Sequence, residues 1–228
     1  MLKRLYLFLP LLFSILLVWT FQSPQLIKLK IVYPGLILLS LLAGIFLIQG
    51  KFKKQWPFFV HLLVFVTSGL GFLLFLNDLI WQIIFILIFN LVLGIFLFHI
   101  YQLFNQPRIS QPQALKKMSS WLNFIISYWF LFCWGHFLGP DFFISRLLIA
   151  TLAVFVFILW LFYYDAFSRF SLVMLKDELL IKALIFAELF LVINFLPLGI
   201  YLTTLSLSLL YIIMVGSSQF YFNKLTKP

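Results

Sequence analysis

Charged residues are scarce in this sequence: only 10% of the 228 residues are Asp, Glu, Lys or Arg, and only six of those are acidic. A soluble domain of this length carries charge on about a quarter of its residues. Apolar residues make up 64% of the chain, and the mean hydropathy is +1.15. No soluble fold of this size could bury so much apolar surface, so the composition excludes a soluble protein and predicts a chain in contact with lipid.

Cysteine is nearly absent, because Cys133 is the sole cysteine and lies in an apolar run. A single cysteine excludes an intrachain disulfide and any metal site built on paired cysteines. No asparagine is followed two residues later by Ser or Thr, which excludes N-glycosylation. The sequence also lacks a P-loop, a dinucleotide fingerprint and a paired-carboxylate motif. We therefore predict no catalytic residue, no resident metal and no cofactor.

The net charge of +10 raises the question of a nucleic-acid partner. The basic residues lie in short clusters between apolar runs, which is typical of orientation signals in a membrane protein. The 31 phenylalanines are interpreted as lipid-facing side chains. We expect the lipid bilayer and other membrane proteins as partners, expect no nucleic acid, and leave the oligomeric state open.

Apolar runs of about the length that crosses a bilayer recur along the whole chain. They predict an all-α fold, a polytopic transmembrane helical bundle forming one integral membrane domain over residues 1–228. The first run has no small-x-small cleavage site, which favours an uncleaved signal anchor. The eight predicted spans lie near residues 5–21, 31–48, 56–76, 79–104, 121–138, 142–164, 179–195 and 198–222.

The connections between the spans are short or polar. Residues 77–78, Asn-Asp, predict a tight turn, and residues 105–119 form the longest polar loop. Within that loop Ser110 is placed to cap a short helix over residues 112–118. Residues 165–178 mix aromatic, basic and acidic side chains, which suits a short helix lying along the membrane interface.

Lysine and arginine predict the orientation of the chain. With eight spans and an inner start, three of the 16 basic residues, Lys28, Lys30 and Arg146, fall outside and the other thirteen fall inside. This asymmetry predicts a multi-pass protein of the cell membrane with both termini in the cytoplasm. A re-entrant hairpin formed by the last two spans preserves the same parity and is the main alternative topology.

The seventh span carries Glu188, the acid that lies deepest in apolar sequence. Nine large apolar residues from 184 to 195 favour insertion by roughly 4 kcal/mol, and a central acid opposes it by roughly 3 kcal/mol. We therefore expect this span to insert with its neighbour and to turn Glu188 toward other helices of the protein. Ala183, Ala187 and Asn194 share one face beside Glu188, where small residues allow close helix contact.

One interpretation is a polar pocket open to the cytoplasm that is formed by His61, His99 and Glu188, with Asp165 as an optional member. It would hold a metal ion or relay protons, although the histidine spacing fits no helical metal motif. The simpler interpretation is that the histidines reach the head groups and that Glu188 accepts bonds from Tyr, Ser or Thr on a neighbouring helix. The candidate intramembrane polar site comprises Glu188, His61, His99, Asp165, Asn90 and Asn194.

Two smaller patterns concern helix packing. Gly135 and Gly139 form a GxxxG pattern before Pro140, which predicts a helix ending and, as the alternative, a helix contact. Thr204 and Ser208 share one face of the eighth span, where we expect them to bond their own backbone or to pack against small residues.

Three functions agree with these observations. The first is a non-enzymatic membrane scaffold or complex subunit, because no motif and no extramembrane domain is evident. The second is a small transporter or lipid-handling permease that uses Glu188 as an intramembrane proton or cation site. The third, an intramembrane enzyme, is disfavoured because no nucleophile, base and orienting group converge.

Overall fold

The structure is a computed structural model that describes Ile15 and residues 52–105, 111–138, 144–168, 176–196 and 198–225. It describes side chains for Ile15 and residues 56–101, 120–136, 146–165, 177–196 and 198–216. Apart from Ile15, the predicted first and second spans, the basic chain start and the last three residues lie outside the described residues.

Every regular element in the described ranges is an α-helix, and no strand occurs among them. Most of these helices correspond to one predicted apolar run, so the all-helical class is confirmed for this part of the chain. The helices are α1 (Phe52–Leu74), α2 (Leu79–Asn105), α3 (Gln111–Leu138), α4 (Ile144–Ser168), α5 (Lys176–Asn194) and α6 (Ile200–Leu225).

Three segments are long and apolar enough to cross a bilayer: Trp56–Leu74 in α1, Leu79–Tyr101 in α2 and Arg146–Asp165 in α4. They coincide with the predicted third, fourth and sixth spans. Ile200–Gly216 in α6 is also apolar, but its described length is shorter than a full span. A membrane protein is therefore supported, whereas the total of eight spans stays a prediction.

The chain divides into two compact units, Met1–Leu115 and Lys116–Pro228. In the first unit α1 and α2 form an antiparallel hairpin held by aromatic contacts. The Phe65 and Phe89 rings stack with centroids 4.9 Å apart. Nearer the turn, the Phe72 and Phe85 centroids lie 5.2 Å apart. These two ring contacts define the register of the antiparallel hairpin, because the pair farther from the turn on α1 is also farther from it on α2.

The tight turn predicted at residues 77–78 is confirmed. The Asp78 side chain caps α2, because its Oδ1 accepts a hydrogen bond from the Ile80 amide at 2.8 Å. The Asp78 carbonyl accepts the first helical bond, from the Gln82 amide at 3.0 Å. A side-chain oxygen at this position satisfies one of the free amides of a helix start, so the α2 boundary follows from local sequence.

The polar stretch before the fifth span differs from the prediction. We expected a short helix over residues 112–118 separated from a span at 121–138, but α3 runs without a break from Gln111 to Leu138. Pro112 lies at the helix start, where its missing amide costs nothing. The following Ala, Leu, Lys and Met residues have high helix propensity, so the helix continues through polar sequence. Ser110, the predicted cap, lies outside the described residues.

The predicted interfacial helix at residues 165–178 is only partly described. Its first residues belong to α4, which continues to Ser168, and its last residues begin α5 at Lys176. The intervening residues lie outside the described part of the chain.

In the second unit α3 and α6 run antiparallel, and both contact α4. The Phe130 ring of α3 stacks on Phe157 of α4 with centroids 3.6 Å apart. Tyr211 of α6 packs on Phe162 of α4 at 5.2 Å. Helix α5 packs most closely against α4 and also contacts α6. The described core of this unit therefore has α4 in contact with all three of the other helices.

Candidate functional site

Glu188 lies on the exposed side of α5. This differs from the expectation that the carboxylate turns toward other helices of the same chain. The exposed neighbours of Glu188 on this side are large aliphatic residues. We call this surface the α5 outer face and define it by five exposed residues: Ile181, Leu184, Ile185, Glu188 and Val192.

Small and aromatic residues on the opposite side of α5 determine this rotation. Ala183, Phe186, Ala187 and Phe190 are all buried, and α5 makes its closest packing with α4. Small residues let two helix backbones approach. The prediction that Ala183 and Ala187 form a packed face is confirmed, but Glu188 lies about 100° around the helix from Ala187 and so points away from it.

The Glu188 carboxylate makes no hydrogen bond or ion pair with any residue in the described part of the chain. The nearest basic residue on α5, Lys182, is paired with Glu178 one turn earlier. The residues three and four positions from Glu188 are Leu184, Ile185, Leu191 and Val192. Helix α5 itself therefore offers no side chain that neutralises this acid.

The predicted site residues of the first unit lie on the α1–α2 hairpin. His61 is fully buried, and its ring packs edge-on against Phe96 with centroids 5.8 Å apart. His99 lies one helical turn beyond Phe96 and is partly exposed, beside Phe98. Asn90 is buried and donates its Nδ2 hydrogen bond to the Ile86 carbonyl at 2.8 Å. Both histidines thus belong to the aromatic packing of the hairpin.

The predicted site residues of the second unit have different surroundings. Asp165 is buried near the end of α4, whereas Glu188 is exposed in the second half of α5. Asn194 donates to the Phe190 carbonyl of its own helix at 2.7 Å. No three His, Cys, Asp or Glu side chains cluster among the described residues. A pocket joining these residues to the histidines of the first unit stays a prediction.

A second polar region, which the sequence did not indicate, lies between α3 and α6. Asn123 is fully buried and donates from Nδ2 to the Tyr211 hydroxyl at 3.1 Å. The Asn123 Oδ1 atom is also buried and has no hydrogen-bond partner in the described part of the chain. An unsatisfied buried acceptor is costly. The bond to Tyr211 is the side-chain hydrogen bond of Asn123 within the described part of the chain.

Further contacts extend this region along both helices. Tyr128 hydrogen-bonds to Thr204, and the Phe132 and Tyr201 rings lie 5.2 Å apart. Moving toward the end of α3 corresponds to moving toward the start of α6, so the helices are antiparallel. We call this region the α3–α6 polar seam and define its polar members as Asn123, Ser127, Tyr128, Thr204, Ser208 and Tyr211.

Gly135 closes the seam near the end of α3. A Cβ atom at this position would lie 3.1 Å from Cγ2 of Ile200. The helix contact that the glycine pattern offered as an alternative is therefore present at Gly135, and α3 ends at Leu138 as predicted. Gly139 lies outside the described residues.

The serine and threonine hydroxyl groups of the seam donate to backbone carbonyls. Ser127 donates to the Phe124 carbonyl at 2.8 Å. Thr204 donates to the Ile200 carbonyl at 2.9 Å, and Ser208 donates to the Thr204 carbonyl at 2.8 Å. The prediction that Thr204 and Ser208 bond their own backbone is confirmed. These three hydroxyls bond their own helices, whereas the Asn123–Tyr211 hydrogen bond and the contact of Gly135 with Ile200 join α3 to α6.

Sequence reasoning missed Asn123, Ser127, Tyr128 and Tyr211. Asn123 and Ser127 are four residues apart in an apolar run, and Thr204, Ser208 and Tyr211 repeat at spacings of four and three. Matching polar faces on two spans are a signal of hydrogen bonding between membrane helices. Comparison of the chain with protein-family models, with curated proteins and with solved structures finds no match.

Proposed function

We propose that this chain is a multi-pass protein of the cell membrane that acts without catalysis, as a scaffold or subunit of a membrane complex. About eight spans with both termini in the cytoplasm agree with the distribution of basic residues. The three long apolar helices and the apolar composition support the membrane location. The partners of such a subunit are other integral membrane proteins.

The observation that carries this proposal is the exposure of Glu188 within the aliphatic α5 outer face. A carboxylate at the middle of a membrane helix opposes insertion by roughly 3 kcal/mol when it faces hydrocarbon. Glu188 lies near the middle of the predicted seventh span, and acids within a span normally face protein or a water-filled cavity. Because the described chain supplies no partner for Glu188, a second protein that covers this face would remove the cost.

The state of assembly in native membranes tests the proposal. We expect the chain, extracted in mild detergent, to migrate on native gels in a complex well above its own 26.9 kDa. Glu188→Leu should release the chain from that complex. The matched control is Asp177→Asn, which removes an exposed acid at the start of α5. A wild-type chain that migrates alone would contradict the proposal.

A small transporter or lipid-handling permease is the second candidate. The observation that favours it is the lack of any bond to the Glu188 carboxylate in the described chain, which leaves the group available to a proton or cation. Purified protein in liposomes should then conduct protons in a manner abolished by Glu188→Gln. Equal proton flux in the two proteins, or none in either, would remove this candidate.

A further inference from the structure

The α5 outer face combines one acid with aliphatic residues at helical spacing. Ile181, Leu184 and Ile185 lie one to two turns before Glu188, and Val192 lies one turn after it. All of these side chains are exposed in the folded chain, in contrast to the buried Ala183 side of the same helix. The stripe has the width and spacing that another helix needs for side-by-side packing.

Among the described residues, no cation pairs with the carboxylate on this stripe. Lys182 is committed to Glu178, and that pair lies nearer the start of α5 than Glu188. The positions one turn to either side of Glu188 are aliphatic. A lipid head group stays at the bilayer surface and does not reach the middle of a span. With α5 as the predicted seventh span, a counter-charge for Glu188 would come from within the membrane.

Resting on the proposed function, we propose that the α5 outer face docks a transmembrane helix of another protein that presents Lys or Arg near the middle of its span. The cation pairs with the Glu188 carboxylate, while Leu184, Ile185 and Val192 pack around the pair and keep lipid away. Each helix alone exposes an unpaired charge to lipid at a cost in free energy, and pairing of the two charges lowers both costs. The partner is thereby selected by the depth of its basic residue.

A second copy of this chain is a poorer occupant of the same face. A symmetric contact between two copies would place one Glu188 carboxylate opposite the other. Two carboxylates in a medium of low dielectric repel unless they share a proton. A cationic helix needs no such proton, so charge complementarity favours a different protein.

A host–guest experiment tests the inference with defined probes. The full-length chain is placed in phosphatidylcholine vesicles with a synthetic leucine-rich transmembrane helix of about 20 residues. The helix carries Lys, Leu or Glu at its centre, and association is measured by energy transfer between labels on the two molecules. We expect the Lys helix to associate about tenfold more tightly than the Leu helix, as a strong polar contact between membrane helices allows.

Two variants make this result specific to Glu188. Glu188→Gln should reduce binding of the Lys helix to the level of the Leu helix. Glu188→Lys should reverse the preference, so that the Glu helix binds and the Lys helix does not. The matched control is Glu178→Gln, which removes the acid already paired with Lys182 and should leave the preference unchanged. Restored binding by reversed charges also shows that the variant folds.

Several outcomes overturn the inference. Equal binding of the Lys and Leu helices to the wild-type chain overturns it, as does a preference that persists in Glu188→Gln. Self-association of the chain that excludes the Lys helix shows that a second copy occupies the face. A native complex that forms while the vesicles show no Lys preference leaves the proposed function intact, whereas a Lys preference without any native complex contradicts the proposed function alone.

Discussion

Burying the polar group of Asn123 or of Tyr211 alone costs free energy. The hydrogen bond from the Asn123 amide to the Tyr211 hydroxyl, at 3.1 Å, lowers this cost. Removing the Tyr211 hydroxyl takes away the acceptor of the buried Asn123 amide in an apolar interior. We expect Tyr211→Phe to lower the free energy of unfolding by about 1 kcal/mol. The Phe ring retains the contact with Phe162. Reversible unfolding in mixed micelles of increasing SDS content measures the change.

The double substitution separates this bond from packing. Asn123→Leu combined with Tyr211→Phe should cost less than the sum of the single changes, because no unpaired polar atom then remains. The control is Tyr201→Phe, at an exposed position of α6. Strictly additive losses would show that the Asn123–Tyr211 bond contributes no coupling.

Gly135 sets the approach of α3 to α6 at the other end of the seam. The Ala methyl in Gly135→Ala would lie 3.1 Å from Ile200 Cγ2, which is closer than ordinary packing. We expect a loss of about 1 kcal/mol in unfolding free energy, at the low end of overpacking costs. Thermal unfolding of the purified protein in detergent measures it, and adding Ile200→Ala should recover part of the loss.

Gly216 is the matched control for Gly135, because a Cβ there meets nothing within 4 Å. Gly216→Ala should be neutral or stabilise α6 by up to about 1 kcal/mol, since alanine is the better helix former. If both glycine changes had the same effect, contact with Ile200 would not be the reason for the glycine at position 135.

At the scale of helices, the start of α2 depends on a single side chain. Asp78→Ala removes the oxygen that accepts from the Ile80 amide, so we expect a loss of about 1 kcal/mol in the stability of the α1–α2 hairpin. Asp78→Ser should retain most of the capping. Hydrogen exchange of the first amides of α2 measures the effect locally, and Asn77→Ala should leave these amides unchanged.

Helix α5 should be a marginal span when it is alone. Its large apolar residues and Glu188 nearly cancel, at roughly 4 kcal/mol for insertion and roughly 3 kcal/mol against it. We expect the isolated segment to insert about half of the time in a glycosylation-reporter assay, and Glu188→Leu to make insertion nearly complete. Full insertion of the unaltered segment would mean that the acid carries less cost than this balance assigns to it.

The sequence predicts some of these helices better than others, for physical reasons. The α1–α2 hairpin follows from two apolar runs around Asn77-Asp78, because capping is local. The unbroken α3 was missed because polar residues after Gln111 suggest a span boundary, whereas a helix can continue without a break beyond the bilayer surface. The rotation of α5 was missed because it depends on which side packs against α4, and Ala183 and Ala187 set that side more strongly than Glu188 does.

At the scale of the whole molecule, Cys133 makes the topology testable. In a Cys133→Ala background, a single cysteine introduced at Asn77 or at Arg108 is the only thiol in the chain. We expect an impermeant thiol reagent applied to intact cells to label position 77 and to spare position 108, because the predicted orientation places them on opposite sides. Labelling of position 108 alone would show that the topology is the reverse of the predicted one. Tags on the two termini should both be protected from protease added outside intact cells.

The unbroken course of α3 has a mechanical consequence. Its 28 residues extend for roughly 42 Å, which exceeds the hydrocarbon thickness of about 30 Å by roughly two helical turns. The polar first turns of α3, which include the lysine positions 116 and 117, account for this extra length. In the predicted topology this extension lies in the cytoplasm, and the same helix contacts α6 at Gly135. Because α3 is unbroken, a partner that tilts the extension would also shift the contact between Gly135 and Ile200.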